Sequence, residues 1–234
     1  MPEHRIYPHG PLQELAPGLW IVRGTMGRNP LPRNMVVYRL AGGGLLIHSA
    51  VAMNAQGMAA LEALGKPRLM IVPNRFHRLD APFYAARYPD MQVLVPARVR
   101  KWVEQKTRVD GHAEEVLPPL GIACHRPDGV APFELVFELP LATGRALVCT
   151  DILFNLPRLP GLRGLMVWLM GSSGFFGMSR IGRWFALRDA QAHAGWLRRM
   201  AELPGLTWVV MAHGEPVGAS CAERLREAAA RLEP

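Results

Sequence analysis

Gly144-Arg145-Ala146-Leu147-Val148-Cys149-Thr150-Asp151 is the stretch on which the fold turns. Ala146 to Cys149 is a short apolar run, too short for a helix of its own, and it reads as a buried strand. Cys149 sits inside it as a small hydrophobe. Just before it, Phe133 to Leu139 is a second β-rich run, and Ala142-Thr143-Gly144 joins the two as a turn. Thr150-Asp151 comes next, where the chain leaves the sheet. Chemistry in layered α/β proteins collects at such strand ends, because the sheet fixes side chains that the loop leaves exposed.

Two other strand ends carry comparable residues. Arg68 to Val72 runs into Pro73-Asn74-Arg75-Phe76-His77-Arg78-Leu79-Asp80, and Thr207 to Met211 runs into Ala212-His213-Gly214. Histidine or aspartate at three strand tips is a metal-site layout, since imidazole and carboxylate suit zinc or iron. The elements between them alternate. Leu19–Val22, Met35–Tyr38 and Leu45–Ile47 read as strands, the last two joined by a Gly42-Gly43-Gly44 turn. Helices are expected over Asn54–Leu64, through Phe83 and Tyr84, and around Trp102, with a strand at Gln92–Val95. Asp189 to Leu203 has apolar residues at helical spacing with Asp189 as N-cap, and Ser220 with Glu223 has the spacing of a capping box for a last helix. Strands alternating with helices predict an α/β fold, and no linker divides residues 1–234, so one domain is expected.

Composition narrows the function classes. The chain has 234 residues, 50% of them hydrophobic, and a formal charge of +8. Lys66, Lys101 and Lys106 are its lysines, so arginine carries nearly all the positive charge, spread without a dense run. That pattern argues against a nucleic-acid partner. Cys124, Cys149 and Cys221 are odd in number and far apart, giving neither a disulfide framework nor a zinc ribbon. Residues 1–10 lack the apolar core of a secretory signal, and the uncharged stretch Gly164–Ser179 is shorter than the ~20 apolar residues of a membrane span. A cytoplasmic protein is expected. Gly171-Ser172-Ser173-Gly174 lacks the spacing of a serine nucleophile elbow, and no phosphate-binding loop is present.

The three strand ends resemble those of the metallo-β-lactamase superfamily, from about Trp20 to the C-terminus. The resemblance implies a four-layer αββα sandwich. Residues 144–151 look like the family's strand ending in a metal-bridging Asp, Met211-Ala212-His213-Gly214 like its final His loop, and Cys124-His125-Arg126-Pro127-Asp128-Gly129 like its G-H-T-P-G loop. Pro73 to Pro96 is similar to an uncharacterised bacterial branch. Where the family ends an early strand in Asp, this chain has His48. Aligned on His77, the H-x-H-x-D-H motif reads Arg75, His77, Leu79, Asp80; aligned on Asp80, its histidines become Phe76, Arg78 and Ala81. The metal candidates are therefore His77, Asp80, His125, Asp151 and His213, with Asp151 and His213 as the catalytic pair. Each also has a structural reading: Asp151 and Asp80 as helix or turn caps, and the histidines as loop anchors. His48, His112 and His193 are read as structural.

The residues that remain amount to a depleted site. One reading is a hydrolase in which at most one zinc or iron ion activates water against an unknown small-molecule substrate. The other is a non-catalytic, metal-free descendant that binds a small ligand or a protein partner. Arg75 and Arg78 would repel a dication or hold an anionic ligand, and so fit either reading. Leu162 to Phe185 is expected to be a buried helix and loop, a flap over the pocket, a membrane-surface contact or a homo-oligomer interface. In the flap reading Phe175 and Phe176 move while Trp168 and Met170 anchor.

Overall fold

Parallel strands need a long crossover between them, whereas antiparallel strands need a tight turn, and the first half of the chain uses both in succession. The computed structural model describes residues 4–26, 29–158, 160–169 and 171–233. They fall into two compact units, Met1–Ile122 and Ala123–Pro234.

The first unit opens with β1 (His9–Ala16), β2 (Leu19–Met26), β3 (Asn29–Arg39) and β4 (Leu45–His48), an antiparallel meander. From β4 the chain crosses over through α1 (Ala55–Leu64) to β5 (Pro67–Ile71), then through α2 (Ala81–Arg87) to β6 (Gln92–Val95). It continues through a single turn, α3 (Arg100–Val103), to β7 (Gly111–His112), and α4 (Ala113–Val116) comes after it. Among the described residues these strands make one seven-stranded sheet in chain order, parallel from β4 onward. β4 is buried along its whole length, as a strand covered on both faces must be. Asn54 caps α1 by accepting from the Gly57 amide at 2.8 Å, and Gly43 takes a positive φ in the turn before β4.

The second unit holds β8 (Ala123–His125), β9 (Val136–Leu141) and β10 (Gly144–Val148), with β9 and β10 forming the expected hairpin. After β11 (Phe154–Asn155) come α5 (Gly161–Leu169), α6 (Arg180–Ala186) and α7 (Ala190–Ala201). The unit closes with β12 (Leu206–Val210), β13 (His213–Gly214) and α8 (Cys221–Ala230). Among the described residues one sheet has the order β12-β10-β9-β8, and β11 pairs with β13 in another. β12 lies parallel to β10, so both strands deliver their loops to the same end. The core here packs Leu147, Cys149, Trp196, Leu197, Val209 and Leu225 around the inner side of α7 and α8. Burial raises the Cys149 thiol well above its usual range, in keeping with a core residue. No helix among the described residues is long and apolar enough to cross a membrane.

Several expectations need correction. β1 was not anticipated: its residues alternate poorly, and only Ala16 is buried. Asp80 stands at the N-cap of α2 but its side chain does not cap, and Ser220 precedes α8 in a left-handed conformation that opens the capping box. In the 162–185 segment the burial of Phe176 and Trp168 is the reverse of what the flap reading expects. Phe176 is a core residue at 1% exposure, whereas Trp168 is 45% exposed. Met170 lies outside the described residues.

Candidate functional site

In the first unit the loop after β5 is shaped by Asn74, whose side-chain oxygen accepts from the amides of Phe76 (2.8 Å) and His77 (3.2 Å). This local turn buries His77 while Arg75, Phe76 and Leu79 stay exposed. His77 Nδ1 lies 2.7 Å from Ser49 Oγ. Ser49 comes directly after β4 with φ 56°, a left-handed conformation that costs a non-glycine residue on the order of 1–3 kcal/mol and persists only where surroundings enforce it.

The enforcement comes from Asp80. One of its oxygens is 2.8 Å from His4 Nε2, while the other accepts from the Arg33 guanidinium and, at 2.9 Å, from the Ala52 amide. Tyr84 donates its hydroxyl to the Val51 carbonyl at 2.9 Å. Arg33 and Asp80 are both buried, so this ion pair clamps the segment after β4 and thereby places Ser49 against His77. Arg78 donates to the Trp102 carbonyl and to Gln105 (3.1 Å), and Arg75 lies over the Phe76 ring.

In the second unit the loops after β10 and β12 meet. His213 Nε2 is 3.2 Å from Asp151 Oδ1, with His213 buried and Asp151 partly open. His213 stacks on Phe154, ring centroids 5.0 Å apart and nearly parallel. Gly214 has φ 110°, and an added Cβ there would come within 2.2 Å of the Asn155 backbone, so only glycine lets β13 pair with β11 here. Glu134 holds the other partner: its buried carboxyl accepts from the amides of Thr150 and Asp151 (2.7 Å). Burial, and then the neighbouring Asp151 charge, push the Glu134 pKa up to about 8.

His125 lies elsewhere in that unit's sheet. It is 2.8 Å from Glu138, which also accepts from Arg145, giving an ion triad across β8, β9 and β10. His193 is buried against Trp196, and its Nδ1 is 2.9 Å from the Asp128 carbonyl. Phe175 is half-buried beneath the Arg231 guanidinium, and Phe176 beneath Arg224. Ser49, Asn74, Arg33 and Glu134 escaped sequence reasoning. For Glu134 a signal existed: it is a lone acid between Phe133 and Leu135 at the entry to a buried strand.

Compared with solved structures, the chain matches the DIM-1 metallo-β-lactamase exposed to ceftazidime over 98% of this chain and 100% of that one, with TM-score 0.65 at 13% identity. The chain has the metallo-β-lactamase fold. It is thus of the α/β, αββα class that the strand-end motifs implied. The metallo-β-lactamase FIM-1 from Pseudomonas aeruginosa, solved in a mono-zinc form, matches with TM-score 0.59 at 12% identity, covering 96% of this chain and 98% of that one. One from Erythrobacter litoralis matches with TM-score 0.60 at 16% identity, covering 94% and 96%. No protein-family model and no curated protein matches the chain.

Proposed function

We propose that the chain is a metal-dependent hydrolase of metallo-β-lactamase fold with a reduced centre, holding at most one zinc or iron ion at Asp151 and His213. The observation that carries this reading is the Asp151–His213 pair, 3.2 Å apart at the ends of adjacent parallel strands. The donor set fits such an ion: a carboxylate and an imidazole are both ligands of zinc and iron, and the two leave coordination positions open. A bound ion would supply Lewis acidity, polarising a substrate carbonyl and lowering the pKa of water toward ~7. The mono-zinc form known for FIM-1 shows that this fold is compatible with a single ion in that protein.

The chain's own residues then do the positioning. Phe154 and Gly214 hold the His213 ring, and Glu134 holds the Asp151 backbone, so neither side chain has to be ordered when substrate arrives. With His213 serving as a ligand, the second oxygen of the Asp151 carboxylate can take a proton from water. Asp80 and His125 are left out of the set because their carboxylate and ring already serve the Arg33 and Glu138 networks.

A second reading, a metal-free descendant that binds a small ligand or partner, is favoured by one observation. Asp151 and His213 already lie within hydrogen-bonding reach of each other, 3.2 Å apart. Elemental analysis of protein purified without chelator separates the two. The hydrolase reading expects up to one zinc or iron per chain, lost in Asp151→Ala and His213→Ala. Protein that stays metal-free after incubation with zinc would establish the descendant reading, and two ions per chain would refute the reduced centre.

A further inference from the structure

Helices normally turn their apolar side toward the protein, and α5 does the reverse. Val167 is buried, while Leu162 (81%), Met166 (59%) and Leu169 (59%) are exposed at helical spacing. α6 continues the surface with Trp184 at 85% exposure, beside Ile181 and Phe185. Of the twelve exposed large apolar residues among those described, eight lie on these two short helices, so the exposed apolar surface is concentrated here and not scattered.

Arginines border the patch. A cavity of about 460 Å³ is lined by Trp168, Leu169, Phe175, Arg180, Arg183 and Arg231, and Arg158 lies over the Trp168 ring. The turn that brings the helices together depends on Gly171, where a Cβ would fall 2.3 Å from the Arg180 side chain. Several surface arginines of this chain find an acid, as Arg87, Arg100, Arg198 and Arg224 do. Among the described residues Arg158, Arg180, Arg183 and Arg231 have no carboxylate within ion-pair distance. Burial, and then the charges of Arg231 and Arg180, lower the Arg183 pKa, as expected of guanidinium groups crowded without a counter-ion.

We propose that α5, α6 and their arginine-lined cavity form a docking surface for an anionic phospholipid bilayer, with the apolar side chains entering the headgroup–acyl boundary and Arg180, Arg183 and Arg231 binding lipid phosphates. Charge complementarity selects this occupant. An anionic membrane surface supplies hydrocarbon and closely spaced phosphates together, which suits exposed Trp and Leu bordered by arginine. A second copy docking face to face would set arginine against arginine with no acid to answer it.

The test is co-sedimentation of the full chain with vesicles of phosphatidylcholine alone and of an equimolar mixture with phosphatidylglycerol. Binding should be confined to the anionic vesicles, weaken with added salt, and be accompanied by a blue shift of tryptophan emission. Leu162→Ser with Trp184→Ser should lower partitioning by roughly tenfold or more, with the melting temperature unchanged because both side chains are exposed. Arg180→Gln with Arg183→Gln should remove the preference for anionic lipid. Absent binding, or equal binding to both vesicles, would overturn the proposal. So would a dimer in sedimentation velocity that the Leu162/Trp184 variant dissociates, since the face would then belong to a second copy.

Discussion

Asp80 shows how one side chain can stand at a motif position and do different work. Its two oxygens serve His4, Arg33 and the Ala52 amide, deep in the first unit. Breaking a buried ion pair from one side leaves the other charge uncompensated, so Asp80→Asn should cost about 3–5 kcal/mol in chemical denaturation. It should leave metal content per folded chain unchanged. A variant of wild-type stability that had lost its metal would return Asp80 to the ligand set. The sequence could display Asp80 as a candidate but not its employment, because Arg33 and His4 are far from it along the chain. Ser49 was illegible for a similar reason: a serine after a strand is ordinary until its φ and its contact with His77 are seen. Asp151 and His213 were legible because each lies just beyond a strand whose apolar run is unmistakable.

At the scale of elements, α7 was the plainest reading and has a consequence for pH dependence. Asp189 caps it by accepting from the Ala192 amide at 2.9 Å, and His193, Trp196, Leu197 and Met200 face inward as their spacing required. Burial lowers the His193 pKa from its usual 6.5, outweighing the help of the Asp128 carbonyl. In the unfolded chain this histidine takes up a proton as the pH drops below about 6.5, while in the folded chain it resists. Its contribution to stability is therefore complete above that pH and is lost progressively below it. His193→Phe keeps the stacking on Trp196 and removes the titration, so its melting temperature should vary less between about pH 7.5 and 5.5, after a general loss of roughly 1 kcal/mol for the Asp128 bond. Equal pH slopes in the two proteins would contradict this. By contrast, α5 was left open by the sequence between a buried helix, a flap, an interface and a membrane contact. Its apolar periodicity is real, and periodicity names a face without saying whether protein or something else covers it.

Across the whole molecule, the fold match extends over 98% of the chain although identity is only 13%, so pattern and not residue identity is what the two structures share. The order of strands has a further consequence, in time. In the first sheet each strand pairs with its predecessor, so every pairing closes a short stretch of chain. In the second unit β10 must wait for β12, with Arg145 beside Leu206 and three helices made in between. Pairing of distant segments is slow because chain entropy is lost before contacts reward it. Pulse-labelled hydrogen exchange during refolding should therefore protect β2 and β3 before β10 and β12, and simultaneous protection would refute that order. On the ribosome, where the N-terminal part emerges first, the Arg33–Asp80 clamp can close while Asp151 and His213 are still waiting to be joined.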